Sequence, residues 1–221
     1  MANRGIRELL ALAVVDYRFY LGNINDYSGN GNDAIWQAGA EPEFRGEVGG
    51  AVGLDFPLGG GDLIATPAIA FAGPFAYEIM MYARSTGGGG FGRVLDPVDG
   101  NCTFRWNGNN LRIECGSFWN VAYTPPGILH AIVTRDGSDD GFMYFDGVPQ
   151  GTSPVGGDAV NAQVRIGNQA ALNRAIDAVI YSVRILNDVV DPDEAARLYE
   201  HSRIQLWPGA PKRSGIISPV V

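Results

Sequence analysis

Aromatic and amide side chains gather around two neighbouring turns in the middle of the sequence, where they could bind a sugar. Glycan binding uses exposed aromatic rings beside groups that exchange hydrogen bonds with hydroxyls, and sandwich loops often present such groups. The candidate glycan-binding residues are Trp106, Asn107, Asn109, Trp119, Asn120 and Tyr123, with Trp36 and Asn110 as further candidates. The alternative is that these tryptophans fill a wide hydrophobic core, and the sequence alone leaves both possibilities open.

Residues suited to catalysis are scarce in this chain. The two histidines are His130, which we place inside a strand, and His201, which we place at a helix end where a cation suits the dipole. The sequence has no Ser-His-Asp order, zinc-ligand spacing or phosphate-binding loop, since Gly87–Gly90 is not followed by Lys and Ser or Thr. We therefore predict that the protein is not an enzyme.

Charge and hydropathy exclude two classes of partner. The 221 residues carry a formal net charge of −8, which argues against binding to a nucleic-acid backbone. Hydrophobic residues make up 46%, enough for a sizeable core, but no apolar run reaches the roughly 18–20 residues of a membrane span. The composition predicts a single large domain that neither binds nucleic acid nor spans a membrane.

The stretch 129–150 shows the element from which the chain is built. Residues 129–135 alternate in polarity as a strand does, and a polar turn at residues 136–141 leads into a second strand. Asp146-Gly147 is a strong signal for a two-residue hairpin turn. Similar strands recur along the chain, including one at about Phe75–Arg84 in which Phe75 and Tyr77 face opposite to Ala76 and Glu78.

Two cysteines flank one predicted hairpin. If its loop is symmetric about Gly108 and Asn109, Cys102 and Cys115 lie opposite each other and could form a disulfide. A turn shifted to Asn107-Gly108 would instead place Ile113 opposite Cys102. The sequence leaves the disulfide open.

These patterns predict an all-β fold, a two-sheet antiparallel β-sandwich of about twelve short strands with one short C-terminal helix. Asp191, Pro192 and Glu194 form the start signal of that helix, which we expect to end near His201. The first strand is predicted at residues 14–21. We divide the chain into an N-terminal lead-in at 1–13, the sandwich at 14–202 and an extended tail at 203–221. We expect no cleaved leader, because Glu8 interrupts the early apolar run.

Taken in their order along the chain, the motifs of residues 14–202 resemble those of the laminin G-like group of the concanavalin A-like lectin/glucanase superfamily. The matching segments are Asp26–Asp33, Ala51–Phe56, His130–Asp136, Tyr144–Gly147, Arg165–Gly167, Ile176–Ile185 and Asp191–Tyr199. The resemblance implies a jelly roll. Because this fold hosts lectins, hydrolases, adhesion modules and virion proteins, it does not by itself decide the function.

The resemblance also points to two single residues. Glucanases of the superfamily carry three carboxylates at alternate positions of one strand, whereas the similar strand here has Glu78 followed by Met80 and Tyr82. A lone carboxylate cannot support a paired mechanism. Asp177 is similar to the aspartate that binds a structural calcium ion in related glucanases, and the alternative is that it caps or pairs at a strand edge.

The tail suggests a partner. Residues 198–208 resemble the closing segments of such domains in tailed-phage genomes, so the leading hypothesis is a structural virion protein, decorating the capsid or part of a head or tail appendage. The major capsid protein or another virion protein would then be its partner, with assembly in the host cytoplasm and a homo-oligomeric state. The predicted contact residues are Trp207, Ile216, Ile217, Val220 and Val221. The second hypothesis is a lectin-like module outside a particle, extracellular and bound to a cell-surface glycan.

Overall fold

The computed structural model describes residues 4–39, 43–71, 73–157 and 160–207. The strands are β1 (Ala13–Tyr17), β2 (Ile35–Ala38), β3 (Phe44–Gly46), β4 (Val52–Phe56), β5 (Leu63–Ala65), β6 (Ile69–Phe71), β7 (Phe75–Ser85), β8 (Arg93–Pro97), β9 (Thr103–Trp106), β10 (Asn110–Glu114), β11 (Phe118–Ala122), β12 (Gly127–Arg135), β13 (Asp140–Phe145), β14 (Val148–Pro154), β15 (Val160–Ala162), β16 (Val164–Ile166) and β17 (Asp177–Leu186). The α-helices are α1 (Ile6–Leu10) and α2 (Pro192–Leu206).

Two antiparallel sheets form the body of the fold, as the sequence predicts. The eight-stranded sheet has the order β14-β13-β12-β7-β17-β4-β3, with β1 paired to β17. The seven-stranded sheet has the order β11-β10-β9-β8-β16-β5-β2, and β15 pairs separately with β6. The predicted two-sheet antiparallel sandwich with one short C-terminal helix is therefore confirmed.

The hydrophobic core lies between the two sheets. Strand β7 shows how the sequence builds it, because Phe75, Tyr77 and Ile79 belong to the main core cluster while Glu78 and Met80 face the other way. Leu129, Ala131 and Val133 of β12 extend the same inner surface. The alternation predicted for these strands is confirmed.

The opposite face of the eight-stranded sheet is also covered. Leu198 of α2 and Leu9 of α1 join a second buried cluster with Ile132. Leu206 packs with Met80 and other residues in a third. Both faces of β7 and β12 are therefore withdrawn from water.

Helix α2 begins where the sequence predicts and ends later. The Asp191 carboxylate accepts a hydrogen bond from the Glu194 backbone N–H at 2.8 Å, and the Glu194 carboxylate accepts one from the Asp191 backbone N–H at 3.0 Å. The predicted end near His201 is wrong, because the helix continues to Leu206. Ser202 and Leu206 are buried against the sheet, and these tertiary contacts extend the helix.

The first strand is shorter than predicted. It ends at Tyr17 rather than at residue 21, and a single 3-10 turn, Phe19–Leu21, follows. Phe19 turns inward there and stacks on Tyr17, with ring centroids 5.7 Å apart. Packing of one aromatic ring therefore overrides the alternating pattern. The lead-in before this strand contains α1.

The hairpin of β9 and β10 has the symmetric loop. Asn107 and Asn110 exchange backbone hydrogen bonds, and Glu114 lies opposite Thr103, so Cys102 comes opposite Cys115. The two cysteines form a buried disulfide. The open choice in the sequence is thereby decided in favour of the cross-linked register.

Removing this disulfide should destabilise the domain. Changing both cysteines to alanine removes a cross-link between positions that are 13 residues apart in the sequence. For a loop of this length the chain-entropy model gives a decrease of about 3 kcal/mol in the free energy of unfolding. Urea unfolding followed by tryptophan fluorescence measures the loss. An oxidised wild type no more stable than the double variant would contradict the expectation.

Candidate functional site

Four strands align polar side chains on the outer face of the seven-stranded sheet. Inward positions of the β9–β10 hairpin hold core residues, so the alternate positions point outward. Arg112 of β10 lies opposite Asn120 of β11 on one side and opposite Arg105 of β9 on the other. Arg93 of β8 lies opposite Arg105 in turn. We call Arg93, Arg105 and Arg112 the arginine row.

At one end of the row, the Arg112 guanidinium is hydrogen-bonded to the side-chain amide of Asn120. The Nε of Arg112 donates to the Asn120 side-chain oxygen at 2.9 Å, and the Asn107 amide approaches the same oxygen at 3.5 Å. This fixes the Arg112 side chain across the strands. Its remaining N–H groups can donate to a ligand, because a guanidinium has five.

The carboxylates beside the row are shared between arginines. Glu114 accepts from Arg105 at 2.9 Å and lies 3.6 Å from Arg112. Asp96 lies 3.6 Å from Arg93 and 3.5 Å from Arg165. Each of these carboxylates therefore serves two guanidinium groups.

Arg93 is crowded by other positive charges. Burial lowers the pKa of Arg93 below its ordinary value, and the guanidinium groups of Arg105 and Arg174 lower it further, against the attraction of Asp96. Burial also raises the pKa of Asp96, although its arginine neighbours oppose this. The Arg93 end of the row is therefore partly buried and lies close to two further guanidinium groups, with Asp96 and Glu114 as the attracting carboxylates.

Two exposed phenylalanines flank the row. Phe118 of β11 is 54% exposed, and the Arg112 guanidinium lies 4.1 Å from its ring centroid. Phe91, which precedes β8, is 37% exposed and lies beneath Arg174, whose guanidinium is 5.0 Å from the ring. Rings held flat by stacked guanidiniums can also receive an apolar sugar face.

The predicted glycan-binding residues separate into two groups. Asn107 and Asn120 lie at the arginine row, and Asn109 is exposed at the adjacent hairpin tip. The prediction that Trp106 stacks on a sugar is wrong, because its side chain has no exposed surface. It points inward from β9 and fills the core, as the alternative held.

Trp119 and Tyr123 also point towards the core. Trp119 is partly buried against the main cluster, and so is Trp36. The Tyr123 ring contacts Trp106 at 5.9 Å, and its hydroxyl donates to the Ile128 carbonyl at 3.2 Å. Trp119 faces inward because Phe118 and Asn120, its neighbours on β11, take the outward positions.

Glu78 lies in a buried ionic cluster beneath α2. One carboxylate oxygen accepts from Arg184 at 2.7 Å, from Ser202 at 2.9 Å and from the His130 Nε2 at 2.9 Å. Arg184 also donates to Asp16 at 2.9 Å. Burial would raise the pKa of Glu78, but Arg184 and His130 outweigh it and lower the pKa from 4.5 to about 2. A carboxylate so enclosed holds the helix on the sheet and is closed to any substrate.

Acid should destabilise the fold through Glu78. Because its folded pKa is lowered, its contribution is present above the unfolded pKa near 4.5 and is lost as the pH falls towards 2. Urea midpoints measured at several pH values across this window should fall in the wild type and fall less in Glu78→Gln. Equal slopes for the two proteins would contradict the assignment.

Asp177 pairs with neighbouring side chains at the start of β17. It accepts from the Ser85 hydroxyl at 2.7 Å and from Arg84 at 3.3 Å. These contacts fit the alternative of a paired strand-edge residue, because a guanidinium at this carboxylate opposes a cation. Within the described ranges no three His, Cys, Asp or Glu side chains are grouped to hold a metal. A structural calcium ion stays a prediction.

Trp207 is the one described member of the predicted partner contacts. Its indole donates to the Val48 carbonyl at 3.3 Å and its ring packs edge-on against Tyr181 at 6.0 Å. It therefore makes contacts within the chain, because α2 carries it back onto the sheet, and its contact with a partner stays a prediction. Ile216, Ile217, Val220 and Val221 lie outside the described residues.

The arginine row was missed by the sequence interpretation, although a signal was present. The symmetric hairpin that places Cys102 opposite Cys115 also places Arg105 opposite Arg112. The alignment of Arg93 needed the pairing of β8 with β9, where the register shifts at a bulge. That irregularity cannot be counted from the sequence.

Comparison with known proteins supports the same fold. A family model described as the concanavalin A-like lectin/glucanases superfamily matches residues 59–196. A search of curated proteins finds no match. No helix within the described part of the chain is long and apolar enough to cross a membrane.

Solved structures with a similar fold include binding domains of bacterial toxins. The binding domain of Paraclostridial Mosquitocidal Protein 1 aligns with a TM-score of 0.68 at 11% identity, covering 87% of this chain and 53% of that one. A structure of botulinum neurotoxin type C also aligns, with a TM-score of 0.69 at 11% identity, covering 90% of this chain and 53% of that one. The cell entry of that toxin is dependent upon interaction with two ganglioside molecules.

A third similar structure is the binding domain of botulinum neurotoxin DC in complex with rat synaptotagmin II. It aligns with a TM-score of 0.68 at 11% identity, covering 88% of this chain and 52% of that one. This chain thus spans about half the length of these structures. At this identity the likeness establishes the fold alone.

Proposed function

Since this chain belongs to the concanavalin A-like lectin/glucanases superfamily, we propose that it is a non-catalytic module that binds a glycan on the outer face of its seven-stranded sheet. The observation that carries the proposal is the alignment of Asn120 with the arginine row across four strands. Phe118 supplies an exposed ring beside these hydrogen-bonding groups. Amide, guanidinium and aromatic groups together are what sugar recognition requires.

A catalytic role has less support. The one carboxylate on the strand similar to the glucanase strand is Glu78, which Arg184 and His130 enclose beneath α2. A glycosidase needs two carboxyl groups facing the same bond. Similarity to toxin binding domains also supports a binding role.

A glycan screen with matched variants tests the proposal. Phe118→Ala and Asn120→Ala should weaken binding about tenfold or more while urea midpoints stay near wild type. Phe44→Ala is the matched control, because Phe44 is 37% exposed on β3 of the other sheet and should bind as wild type does. Equal loss in Phe44→Ala, or full binding in both site variants, would overturn the proposed site.

The virion role predicted from the sequence is kept as a separate hypothesis. Its support is the resemblance of residues 198–208 to segments of tailed-phage proteins. Sedimentation of the native source through a density gradient tests it, together with the predicted homo-oligomer and capsid partner. Constant stoichiometry with large particles would support a virion component, and recovery only in low-mass fractions would reject it. Glycan binding is compatible with either location.

A further inference from the structure

We infer that the glycan bound here carries carboxylate groups, and that Arg93, Arg105 and Arg174 form the subsite for them. This inference rests on the proposed function and names its ligand class. The first argument is the contrast in charge, because the whole chain has a net charge of −8. Within the described residues, the ion pairs of the arginine row and Arg165 go to only two carboxylates, Asp96 and Glu114.

The second argument is the arrangement of donors at the subsite. The Nε of Arg105 is buried and has no partner among the described residues, while its other nitrogens donate to Glu114 and to the Trp106 carbonyl. Arg174 donates only weakly, to the Gly88 carbonyl at 3.4 Å. Because the Arg105 Nε is enclosed by the protein, the donors open to a ligand are mainly those of Arg174, which makes no ion pair among the described residues. Guanidinium groups bind carboxylates through two parallel hydrogen bonds, so Arg174 can hold a bound carboxylate while Arg93 and Arg105 add positive charge beside it.

The third argument is the position of Phe91 between these cations. The guanidinium carbon of Arg174 lies 5.0 Å from its ring centroid and that of Arg105 lies 5.9 Å away. A carboxylate sugar placed here would meet guanidinium groups with its charged group and an apolar ring with its C–H face. The joint presence of both surfaces favours a sugar acid over a simple inorganic anion.

We also expect the ligand to carry few negative charges, spaced along the glycan. A nucleic acid carries a phosphate at every nucleotide, and its dense charge would meet repulsion from a chain of net charge −8. The arginine row is local, because its three guanidinium groups lie on three neighbouring strands. We therefore favour glycans in which acidic sugars alternate with or terminate neutral ones. Nucleic acid, dense sulfated polymers and a second acidic copy of this chain become outcomes of the test.

The test compares acidic glycans with the same glycans after reduction of their carboxyl groups to alcohols. The probes are hyaluronan, polygalacturonate and a sialylated oligosaccharide, each beside its carboxyl-reduced form. We expect at least one acidic probe to bind and its reduced form to bind about tenfold more weakly or worse, since a charge-assisted hydrogen-bond pair is lost. Arg105→Gln and Arg174→Gln should weaken binding of the acidic probe by a similar factor.

Controls separate this subsite from general attraction. Arg45→Gln removes the same charge from β3 on the other sheet and should bind within about twofold of wild type. Arg174→Gln keeps the test valid if Arg105→Gln fails to fold, because Arg174 makes no ion pair within the described part of the chain. Arg174→Lys should restore only part of the affinity, since a lysine keeps the charge without the two-pronged geometry.

Each contrary result has a distinct meaning. Equal binding of acidic and reduced probes, or binding of neutral glycans alone, overturns the carboxylate subsite and leaves the glycan-binding proposal intact. Tighter binding of heparin or DNA, lowered equally by Arg45→Gln, overturns it in favour of non-specific attraction. Salt-dependent self-association blocked by Arg174→Gln overturns it in favour of a second copy. Binding to no glycan of any kind would reject the proposed function itself.

Discussion

Replacing Arg184 with methionine should destabilise the protein by about 3–5 kcal/mol, the cost of leaving buried carboxylates without their cation. Arg184 donates to Glu78 at 2.7 Å and to Asp16 at 2.9 Å, and all three side chains are almost fully buried. Methionine fills a similar volume but cannot pair with either carboxylate. Equilibrium urea unfolding measures the loss as a lower midpoint.

Two companion variants isolate the charge effect. Adding Glu78→Gln to Arg184→Met should recover part of the stability, because the neutral amide removes one unpaired buried charge. Arg45→Met, on the exposed edge strand β3, should lower the midpoint far less, because Arg84 still pairs with Asp55, the buried carboxylate that Arg45 contacts. An Arg184→Met protein as stable as the wild type would contradict the view that this cluster fastens α2 to the sheet.

Changing Trp106 to alanine should unfold or strongly destabilise the protein, by about 3–5 kcal/mol, as expected for deleting a large core side chain. Trp106 has no exposed surface and packs against Tyr123 at 5.9 Å. Of the two roles that the sequence leaves open for Trp106, a core residue predicts loss of stability, whereas an exposed stacking ring predicts loss of glycan binding with the fold intact. Thermal or urea unfolding decides between the two.

Phe118→Ala provides the contrasting case. Phe118 is 54% exposed on the edge strand β11, so its removal should cost little stability and act on binding instead. Loss of stability at Phe118 with none at Trp106 would show that the inner and outer faces of the β9–β10–β11 sheet region have been interchanged.

Much of the fold follows from local patterns in the sequence. Alternation correctly divides Tyr77 and Ile79 from Glu78 on β7, and the Asp191 capping box correctly begins α2. The symmetric hairpin that opposes Cys102 to Cys115 is one of the two registers that the sequence allows, and the structure has this register. Each of these features depends on residues close together along the chain.

The features that the sequence leaves open or does not reveal depend on contacts between segments far apart along the chain. Alternation separates the two faces of a strand but does not say which face is exposed, so Trp106 was open to either role. Glu78 is polar and faces away from the main core, yet α2 covers it with Ser202 at 2.9 Å. Aligning the arginine row requires two strand registers at once, one of them with a bulge in β8, and a third register brings Asn120 beside it. Its residues are therefore found only when the sheet is assembled.

The most direct test of the binding face is to follow arginine side-chain Nε–H signals by NMR while titrating the tightest glycan from the screen. These signals report each guanidinium separately and do not depend on a variant folding. We predict that the signals of Arg105, Arg112 and Arg93 shift with a common saturation curve, while that of Arg45 on the other sheet does not move. Saturable binding that shifts Arg45 and leaves the arginine row unchanged would contradict the account and place the site elsewhere on the molecule.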